Sequence, residues 1–489
     1  MKHLKTTLLL RRVGATLAAA LLTAPLIGAL TFGPLAPAQA EAALSLPLKD
    51  VTVGDGIKAQ LVERHTLPLV TLTVAFKGGA AGDPKGKEGL TNLMVDALRA
   101  GAGTRNGKAL AEALDGLGAE LDLRVTRDAV EISLEVLSRD VPQALALLSD
   151  LVIRPTFAED ELARIRRQLQ AEIQDRLDNP AAAVEVAFYE QLYRNHPYGH
   201  ARTGTLESVE KLSRADVVAL HKALFRPENA WLGVVGDFDP KQLKKQLDQA
   251  FKGWSKAVAG TPALKVSVPS APAPIKGRRI ILVHRSGLTQ SQIRIGNLAF
   301  ASGAPGEVER TVVNTALGGG FTSRLVEEIR VNRSLSYGAN SNFVTFEHTG
   351  PFVISTFTKN ETLGETIQVA LDTLKGLKDK GMQAPEFEKA RASAAGRFAQ
   401  NIQTPEALLQ ELAKLARYKL PLSSLVQRSE QLKAVSLEVA NRTASALPFD
   451  DLLLVVYSDK DVVLPQLQKL GEVCVVEKLE YDGSCKLDN

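Results

Sequence analysis

The sequence predicts an α+β fold built from two similar domains. Three observations support this prediction: amphipathic helical segments alternate with short strands, one Pro-rich segment interrupts them, and the order of elements on its two sides is alike. A chain of 489 residues is long enough for such a duplication. We expect two duplicated α/β-sandwich domains that close like a clamshell over a polar chamber, because the facing surfaces of a domain pair form a natural cleft.

The first predicted domain covers residues 41–254. It begins with a hairpin around Gly54-Asp55-Gly56 and continues with a central strand at 70–76, where apolar and polar residues alternate. A Gly- and Lys-rich loop then leads into a helix at 89–100, whose apolar residues recur on one face. The remaining predicted elements are helices at 108–117, 139–153, 158–177, 181–193, 214–225 and 240–251, and strands at 119–126, 129–136 and 231–235.

Residues 255–276 form the predicted linker, because four prolines stand there among small residues. The second predicted domain covers residues 277–489 and repeats the earlier order. Its predicted elements are strands at 280–285, 292–299, 337–346, 352–358 and 452–457, and helices at 306–317, 323–332, 362–378, 385–400 and 405–416.

The stretch 317–337, LGGGFTSRLVEEIRVNRSLSY, is the most distinctive in the second half. Its three glycines allow the backbone to bend where a side chain would clash, and Thr322 or Ser323 is suited to cap the helix that follows. Arg330 and Tyr337 then lie on either side of a helix-to-strand turn. Their guanidinium and phenolic hydroxyl are suited to binding a peptide carbonyl. From spacing alone, a surface arginine and a half-buried core tyrosine is the alternative interpretation.

Residues 1–40 have the features of a secretory signal peptide. A basic start is followed by an apolar run at 13–32 and by Ala38-Gln39-Ala40, which matches a cleavage site. Three prolines at 25, 34 and 37 argue against the alternative, a transmembrane anchor. We therefore expect a mature chain that begins near Glu41 in the periplasm or another exported compartment.

The charge of the expected mature chain is balanced. Removing the four basic residues of the signal from the 59 in the sequence leaves 55 basic residues against 55 acidic ones. This balance does not favour nucleic acid or an anionic membrane as a partner, and no later apolar run is long enough to span a bilayer. Cys474 and Cys485 are the only cysteines, and either a disulfide or two unpaired thiols fits an exported chain.

Together these patterns resemble the pitrilysin/insulinase-type zinc metallopeptidases, and specifically their short two-domain members of the processing-peptidase type. The resemblance extends over nearly the whole mature chain. It rests on four segments: the loop and helix that begin at Gly89, Ala171-Glu172-Ile173 in the long helix, His196-Pro197-Tyr198-Gly199-His200, and the LGGG…SRL…IR…Y pattern.

The metal motif of that family is altered in this sequence. Family members bind zinc through HxxEH on the first-domain helix, with the glutamate as general base, and through a further glutamate on the long helix. Here Asn92 and Asp96 stand at the histidine positions and Val95 at the position of the base, while Glu172 is retained and Ile165 replaces another acidic residue. The resemblance therefore implies a degenerate site without zinc.

Two other groups of residues in the sequence have metal-ligand chemistry. Oxygen atoms of Asn92, Asp96 and Glu172 could hold calcium or magnesium loosely, although a site without any metal is the preferred interpretation. His196 and His200 are four residues apart, but Pro197 and Gly199 lie between them, so we interpret them as loop histidines.

The second-half pattern is intact, so the resemblance implies that Arg330 and Tyr337 hold the substrate carbonyl beside the scissile bond and stabilise the oxyanion. It also implies a non-metal-binding subunit of a heterodimeric peptidase, with zinc in a similar partner chain that carries HxxEH. The alternative is a peptide-binding or assembly protein of the same fold without a hydrolytic partner. A self-sufficient peptidase with an unusual metal ranks last, because Val95 cannot act as a base.

Overall fold

The computed structural model describes residues 46–263, 268–477 and 485, and contains two six-stranded sheets. The first sheet is formed by residues before 237 and the second by residues after 277. The predicted signal peptide, and residues 264–267 of the predicted linker, lie outside the described residues. Within the described part, no helix combines the length and apolar character needed to cross a bilayer.

The first half contains eight strands and nine helices within the described residues. The strands are β1 (Leu48–Val53), β2 (Ile57–Glu63), β3 (Leu69–Lys77), β4 (Gly101–Ala102), β5 (Arg105–Asn106), β6 (Glu120–Val125), β7 (Ala129–Leu137) and β8 (Ala230–Gly236). The helices are α1 (Leu90–Asp96), α2 (Gly107–Gly116), α3 (Val141–Ile153), α4 (Glu159–Asp178), α5 (Pro180–Tyr193), α6 (Leu206–Glu210), α7 (Arg214–Leu224), α8 (Pro240–Ala250) and α9 (Trp254–Ala257).

The second half contains six strands, eight α-helices and two π-helical segments within the described residues. The strands are β9 (Arg278–His284), β10 (Gln290–Phe300), β11 (Ala339–Phe343), β12 (Gly350–Lys359), β13 (Leu452–Ser458) and β14 (Val473–Val476). The helices are α10 (Glu307–Asn314), α11 (Leu363–Lys380), α12 (Ala384–Asn401), α13 (Pro405–Tyr418), α14 (Ser423–Val426), α15 (Arg428–Ala434), α16 (Leu437–Ser445) and α17 (Lys460–Gln468). The π-helical segments are Thr315–Gly319 and Val326–Asn332.

The two sheets have the same topology. The strand order is β1-β2-β8-β3-β7-β6 in the first and β14-β9-β13-β10-β12-β11 in the second. In each, a late strand of the half (β8 or β13) runs parallel to one early strand (β2 or β9) and antiparallel to the next (β3 or β10). The edge strands differ, since β1 is antiparallel to its neighbour and β14 is parallel. The prediction of two similar α+β units is therefore confirmed.

The central strands are buried on both faces, so their sequences are continuous apolar runs. Each half covers one face of its own sheet with its own helices. The second face is covered by a helix from the other half: α5 packs on β10 and β13, and α13 packs on β3 and β8. Phe188 of α5 accordingly shares a core cluster with Leu453, while Leu409 of α13 shares one with Trp231.

Some predicted bounds in the second half are wrong. The predicted helix 306–317 ends as an α-helix at Asn314, and the predicted strand 337–346 is reduced to β11. The strand begins late because the chain turns first: Ser334 has a left-handed φ of 54°, and the Ser336 hydroxyl donates to the carbonyl of Gly338 at 3.0 Å.

Candidate functional site

Helix α1 carries the positions that would hold a metal. Its first turn is fixed by Asp83, whose carboxylate accepts hydrogen bonds from the backbone N–H groups of Gly89 (2.8 Å) and Thr91 (3.0 Å). Gly89 caps the helix with φ 92°, a conformation that favours glycine. The metal positions Asn92, Val95 and Asp96 follow on the same helix. Val95 is only 1% exposed and belongs to the core of the first half, so the position of a general base is apolar and buried.

Asp96 and Glu172 are close enough to repel each other. Burial, followed by the negative charge of Glu172, raises the pKa of the Asp96 carboxyl to about 6, while Arg99 opposes the shift. Glu172 projects from α4 and forms an ion pair with Arg176, with 2.7 Å between Oε1 and Nη2. A carboxylate already paired with a guanidinium is a poor ligand for a cation.

These residues do not fit a zinc ion. Val95 has no donor atom, the amide of Asn92 is a weak ligand, and the carboxylate of Glu172 is already paired with Arg176. Among the residues that the structure describes, no group of three or more histidine, cysteine, aspartate or glutamate side chains could hold a metal ion. Asn92, Val95, Asp96 and Glu172 therefore do not form a site at which zinc would activate water.

Arg330 lies in the π-helical segment Val326–Asn332. Leu325 and Ile329 anchor this region in the core with no exposed surface, as their spacing predicts, and Arg330 faces solvent. Its guanidinium carbon lies 4.7 Å from the centroid of the Phe321 ring, which is itself 76% exposed. The preceding glycines are required by packing, because a Cβ on Gly318 would lie 2.6 Å from the backbone nitrogen of Ser341.

Tyr337 lies in the turn before β11 and is 87% exposed. The alternative interpretation, a half-buried core tyrosine, is therefore wrong. Leu335 ties the turn to the preceding helix through a hydrogen bond from its N–H to the carbonyl of Ile329 at 2.8 Å. Both Arg330 and Tyr337 are exposed, so both side chains are accessible to a further molecule. Ser323 directly precedes the helix, as the capping prediction requires. Its hydroxyl, however, has no hydrogen-bond partner among the described residues.

His196 and His200 lie in a turn after α5 and make local contacts. A ring nitrogen of His196 (Nε2) is 2.8 Å from the carbonyl oxygen of Pro269, and its other ring nitrogen accepts from the Tyr198 N–H at 3.0 Å. His200 is directed to the carbonyl of Ala201 at 2.9 Å, and burial lowers its pKa. His196 thus contacts the segment that connects the halves, whereas His200 contacts its own turn.

Asp128 forms a joint between the halves that the sequence does not indicate. Its carboxylate is 5% exposed and accepts a hydrogen bond from the Tyr198 hydroxyl at 2.6 Å on the first-half side. From the second half it accepts the Tyr418 hydroxyl at 2.7 Å and the Glu347 N–H at 2.8 Å. These partners are distant in sequence and no local pattern connects them, so only the folded structure identifies them.

A second link between the halves involves β7, which begins directly after Asp128. Glu131 of β7 forms a buried ion pair with Arg417 of α13. Together with the Asp128 joint, this pair fixes α13 against the first sheet.

Comparison with known families gives matches in both halves. Residues 59–206 match the family described as "Insulinase (Peptidase family M16)", and residues 211–394 match "Peptidase M16 inactive domain". The first match includes the degenerate metal positions on α1 and α4, and the second includes Arg330 and Tyr337.

Relatives carry two kinds of name. An "Uncharacterized zinc protease" of Mycobacterium tuberculosis is 25% identical over 364 residues, which cover 73% of this chain and 81% of the relative. A "Non-peptidase homolog YmxG" of Helicobacter pylori is 24% identical over 403 residues, covering 81% of this chain and 91% of the relative. This chain is therefore similar both to proteins named as proteases and to one named as a non-peptidase.

A solved structure agrees with these matches. The crystal structure described as the peptidase M16 inactive domain from Pseudomonas fluorescens aligns with a TM-score of 0.78 and 27% identity, covering 85% of this chain and 98% of that one. Both halves thus match M16 sequences and one M16 structure spans them, while the residues on α1 do not fit a metal. This chain belongs to the M16, or insulinase, peptidase family.

Proposed function

We propose that this chain is the non-metal-binding subunit of an exported two-chain zinc peptidase, and that Arg330 and Tyr337 bind the peptide beside the zinc of a partner. The partner would be a similar chain with an HxxEH motif. One contrast carries the proposal: Val95, at the position of the base, is 1% exposed, whereas Tyr337, on the substrate side, is 87% exposed.

The surface around these residues supports a protein partner or a peptide. Within the described residues, six large apolar or aromatic side chains are exposed, and three of them are Phe321, Val331 and Tyr337. Exposed apolar side chains clustered in one segment favour an interaction surface. The relatives named zinc proteases and the relative named a non-peptidase homolog support a family in which hydrolytic and non-hydrolytic chains coexist.

In this division of labour, the partner's zinc supplies the activated water, and this chain binds and orients the peptide. The guanidinium N–H groups of Arg330 and the hydroxyl of Tyr337 donate to the carbonyl oxygen next to the attacked bond. Negative charge grows on that oxygen as the carbonyl becomes tetrahedral, so these donors bind it more strongly in the transition state than in the substrate.

The first prediction concerns turnover by the two-chain enzyme. When purified with its HxxEH partner, this chain should support cleavage of a quenched fluorescent peptide. Arg330→Ala and Tyr337→Phe should each lower kcat by about ten- to a thousandfold, because each removes an oxyanion donor. Arg442→Ala, on the exposed surface of α16, is the matched control and should leave kcat unchanged.

Three outcomes decide the matter. Cleavage by this chain alone, with stoichiometric zinc bound, would contradict the proposal. So would normal turnover of the pair with both Arg330 and Tyr337 substituted. Peptide binding without any partner that completes an enzyme would favour the alternative, a peptide-binding or assembly protein. Recovery of the mature chain from the periplasmic fraction, beginning near Glu41, tests the proposed export.

A further inference from the structure

The duplicated topology assigns a counterpart to the altered metal site. Glu172 lies on α4, seven residues before Asn179, which caps α5. In the second half, Arg397 lies on α12, seven residues before Thr404, which caps α13, and a proline follows the cap in both places. Arg397 therefore occupies in the second half the position that Glu172 occupies in the first.

Arg397 contacts the end of α10, just as Glu172 lies near the end of α1. In the first half, Glu172 faces Asp96 from the end of α1. In the second half, Arg397 donates from Nη2 to the hydroxyl of Thr315 at 2.8 Å, at the end of α10, and from Nη1 to the carbonyl of Gly319. The position that holds the Glu172 carboxylate in the first half thus holds the Arg397 guanidinium in the second.

A cavity of about 350 Å³ opens at this counterpart position. Its lining contains four basic side chains and one acidic side chain, Glu307. The basic residues are Arg310, Arg397, Lys414 and Arg428. Asn314, Asn342 and Asn401 add amide groups. The lining therefore has a formal charge of +3, whereas the mature chain as a whole is neutral.

The basic side chains are only partly neutralised. Arg428 and Lys414 share Glu307, at 3.1 Å and 3.9 Å from its Oε1. Arg310 is 5% exposed, stacks 3.8 Å above the Phe300 ring and donates to main-chain carbonyls, while the charges of Glu307 and Glu309 act on its guanidinium. Within the described residues, Arg397 donates to the uncharged oxygens of Thr315 and Gly319, and its side chain is exposed. An exposed guanidinium whose described acceptors are uncharged attracts an anion.

The cavity continues into the seam between the two halves. Thr345 and Lys414 line both this cavity and a second one of about 240 Å³, which also touches Asp128 of the first half. Arg127 joins the second cavity to a third of about 170 Å³, where Arg176 and Arg202 outnumber Glu185.

We propose that the cavity around Arg310, Arg397 and Arg428 binds a carboxylate of an acidic peptide. The ligand class, a peptide, rests on the proposed function, while the preference for a carboxylate rests on the lining of this cavity. The carboxylate can come from an acidic side chain or from the C-terminus of the peptide. Because binding needs only this chain, it can be tested without a partner or cleavage.

The test measures anisotropy of four labelled peptides of equal length with the intact mature chain. The peptides combine acidic or amide side chains (Asp and Glu, or Asn and Gln) with a free or an amidated C-terminus. We expect at least one carboxylate-containing peptide to bind about tenfold tighter than the peptide that has neither carboxylate, as expected for charge-assisted hydrogen bonds. The peptide that gains affinity identifies the source of the carboxylate, and added salt should reduce the gain.

Arg397→Gln should abolish most of that gain, because the glutamine keeps a donor for Thr315 and removes the charge. Lys414→Gln should reduce it less, since Lys414 is already near Glu307. Arg442→Gln is the matched control on α16 and should retain the gain. Circular dichroism and the thermal midpoint verify that each variant is folded, and Lys414→Gln replaces Arg397→Gln as the deciding variant if the latter does not fold.

Equal affinity of wild type for all four peptides would overturn the proposal, as would a gain that folded Arg397→Gln retains. Failure of the proposed function has a different signature. In that case, no partner restores cleavage, but the preference for a carboxylate and its loss in Arg397→Gln remain.

Discussion

The imidazole of His221 lies in the core of the first half, far in sequence from the residues of the candidate site. Its Nε2 is 2.9 Å from the carbonyl oxygen of Val152, and its ring contacts Phe157 and Phe225. Burial lowers the pKa of His221 to about 4, because a charged imidazole would lose its hydration there. The hydrogen bond to Val152 requires a proton on Nε2, so the neutral ring has its proton on that nitrogen.

This shift predicts a loss of stability in acid. The folded-state pKa of His221 lies below the value of about 6.5 expected in the unfolded chain, so its stabilising effect is complete above pH 6.5 and is lost as the pH falls towards 4. Relative to His221→Gln, the wild-type free energy of unfolding should fall by up to about 3 kcal/mol between pH 7 and pH 4. Urea unfolding of both proteins at several pH values measures this, and a constant difference would contradict it.

Within the candidate site, the sequence identifies those residues whose positions the family pattern defines. The replacement of the base by Val95 and the retention of Arg330 and Tyr337 are visible in the sequence alone. The exposure of Tyr337 is not visible in the sequence, because the same alternating pattern also fits a core strand. The role of Asp128 is equally hidden, since its partners Tyr198 and Tyr418 come from separate parts of the chain.

Among the elements, long amphipathic helices were predicted within a few residues, as α4 and α12 show. Their apolar periodicity extends over several turns, so the signal is strong. The π-helical geometry of the two segments and the short length of β11 were not predicted, because both depend on contacts with the rest of the fold. The small helices between α13 and β13 were missed for the same reason.

The last strand is held by a covalent bond. Cys474 of β14 is joined to Cys485 by a disulfide, which resolves the choice left open by the sequence. Strand β14 pairs with β9 alone, at the edge of the second sheet, and its side chains pack against the core clusters there. The bond therefore restrains an edge strand that has a partner on one side only.

Removal of this disulfide should weaken the protein. The variant with Cys474→Ser and Cys485→Ser should lose about 2–3 kcal/mol in free energy of unfolding, as expected for a closed loop of this short length. Urea unfolding measures the loss, and reduced wild type serves as the control because it should match the variant. Equal stability of variant and oxidised wild type would show that the bond does not constrain the unfolded chain.

At the scale of the whole molecule, duplication was predictable because the order of elements repeats along the chain. The exchange of α5 and α13 between the halves was not, because an amphipathic helix does not indicate which sheet it covers. Nor does the sequence show the charge of the seam, where residues such as Arg127 and Lys414 converge from both halves. These features require the three-dimensional arrangement.

The Asp128 joint gives a prediction at this scale. Asp128→Ala should lower the free energy of unfolding by about 3 kcal/mol, because two buried tyrosine hydroxyls lose their acceptor. Tyr418→Phe removes one donor and should cost about half as much. Asp122→Ala, on the exposed side of β6, is the control and should change stability by less than about 0.5 kcal/mol. Urea denaturation compares the four proteins, and a loss in the control equal to that in Asp128→Ala would contradict the joint.

The exchanged helices also have a consequence for biosynthesis. The face of the first sheet that contacts Leu409 stays bare until translation has passed Tyr418, the last residue of α13. A ribosome-bound chain carrying only the first half can therefore form the core on one face of its sheet but lacks the helix that covers the other face. Native packing of that second face must wait until α13 has left the exit tunnel.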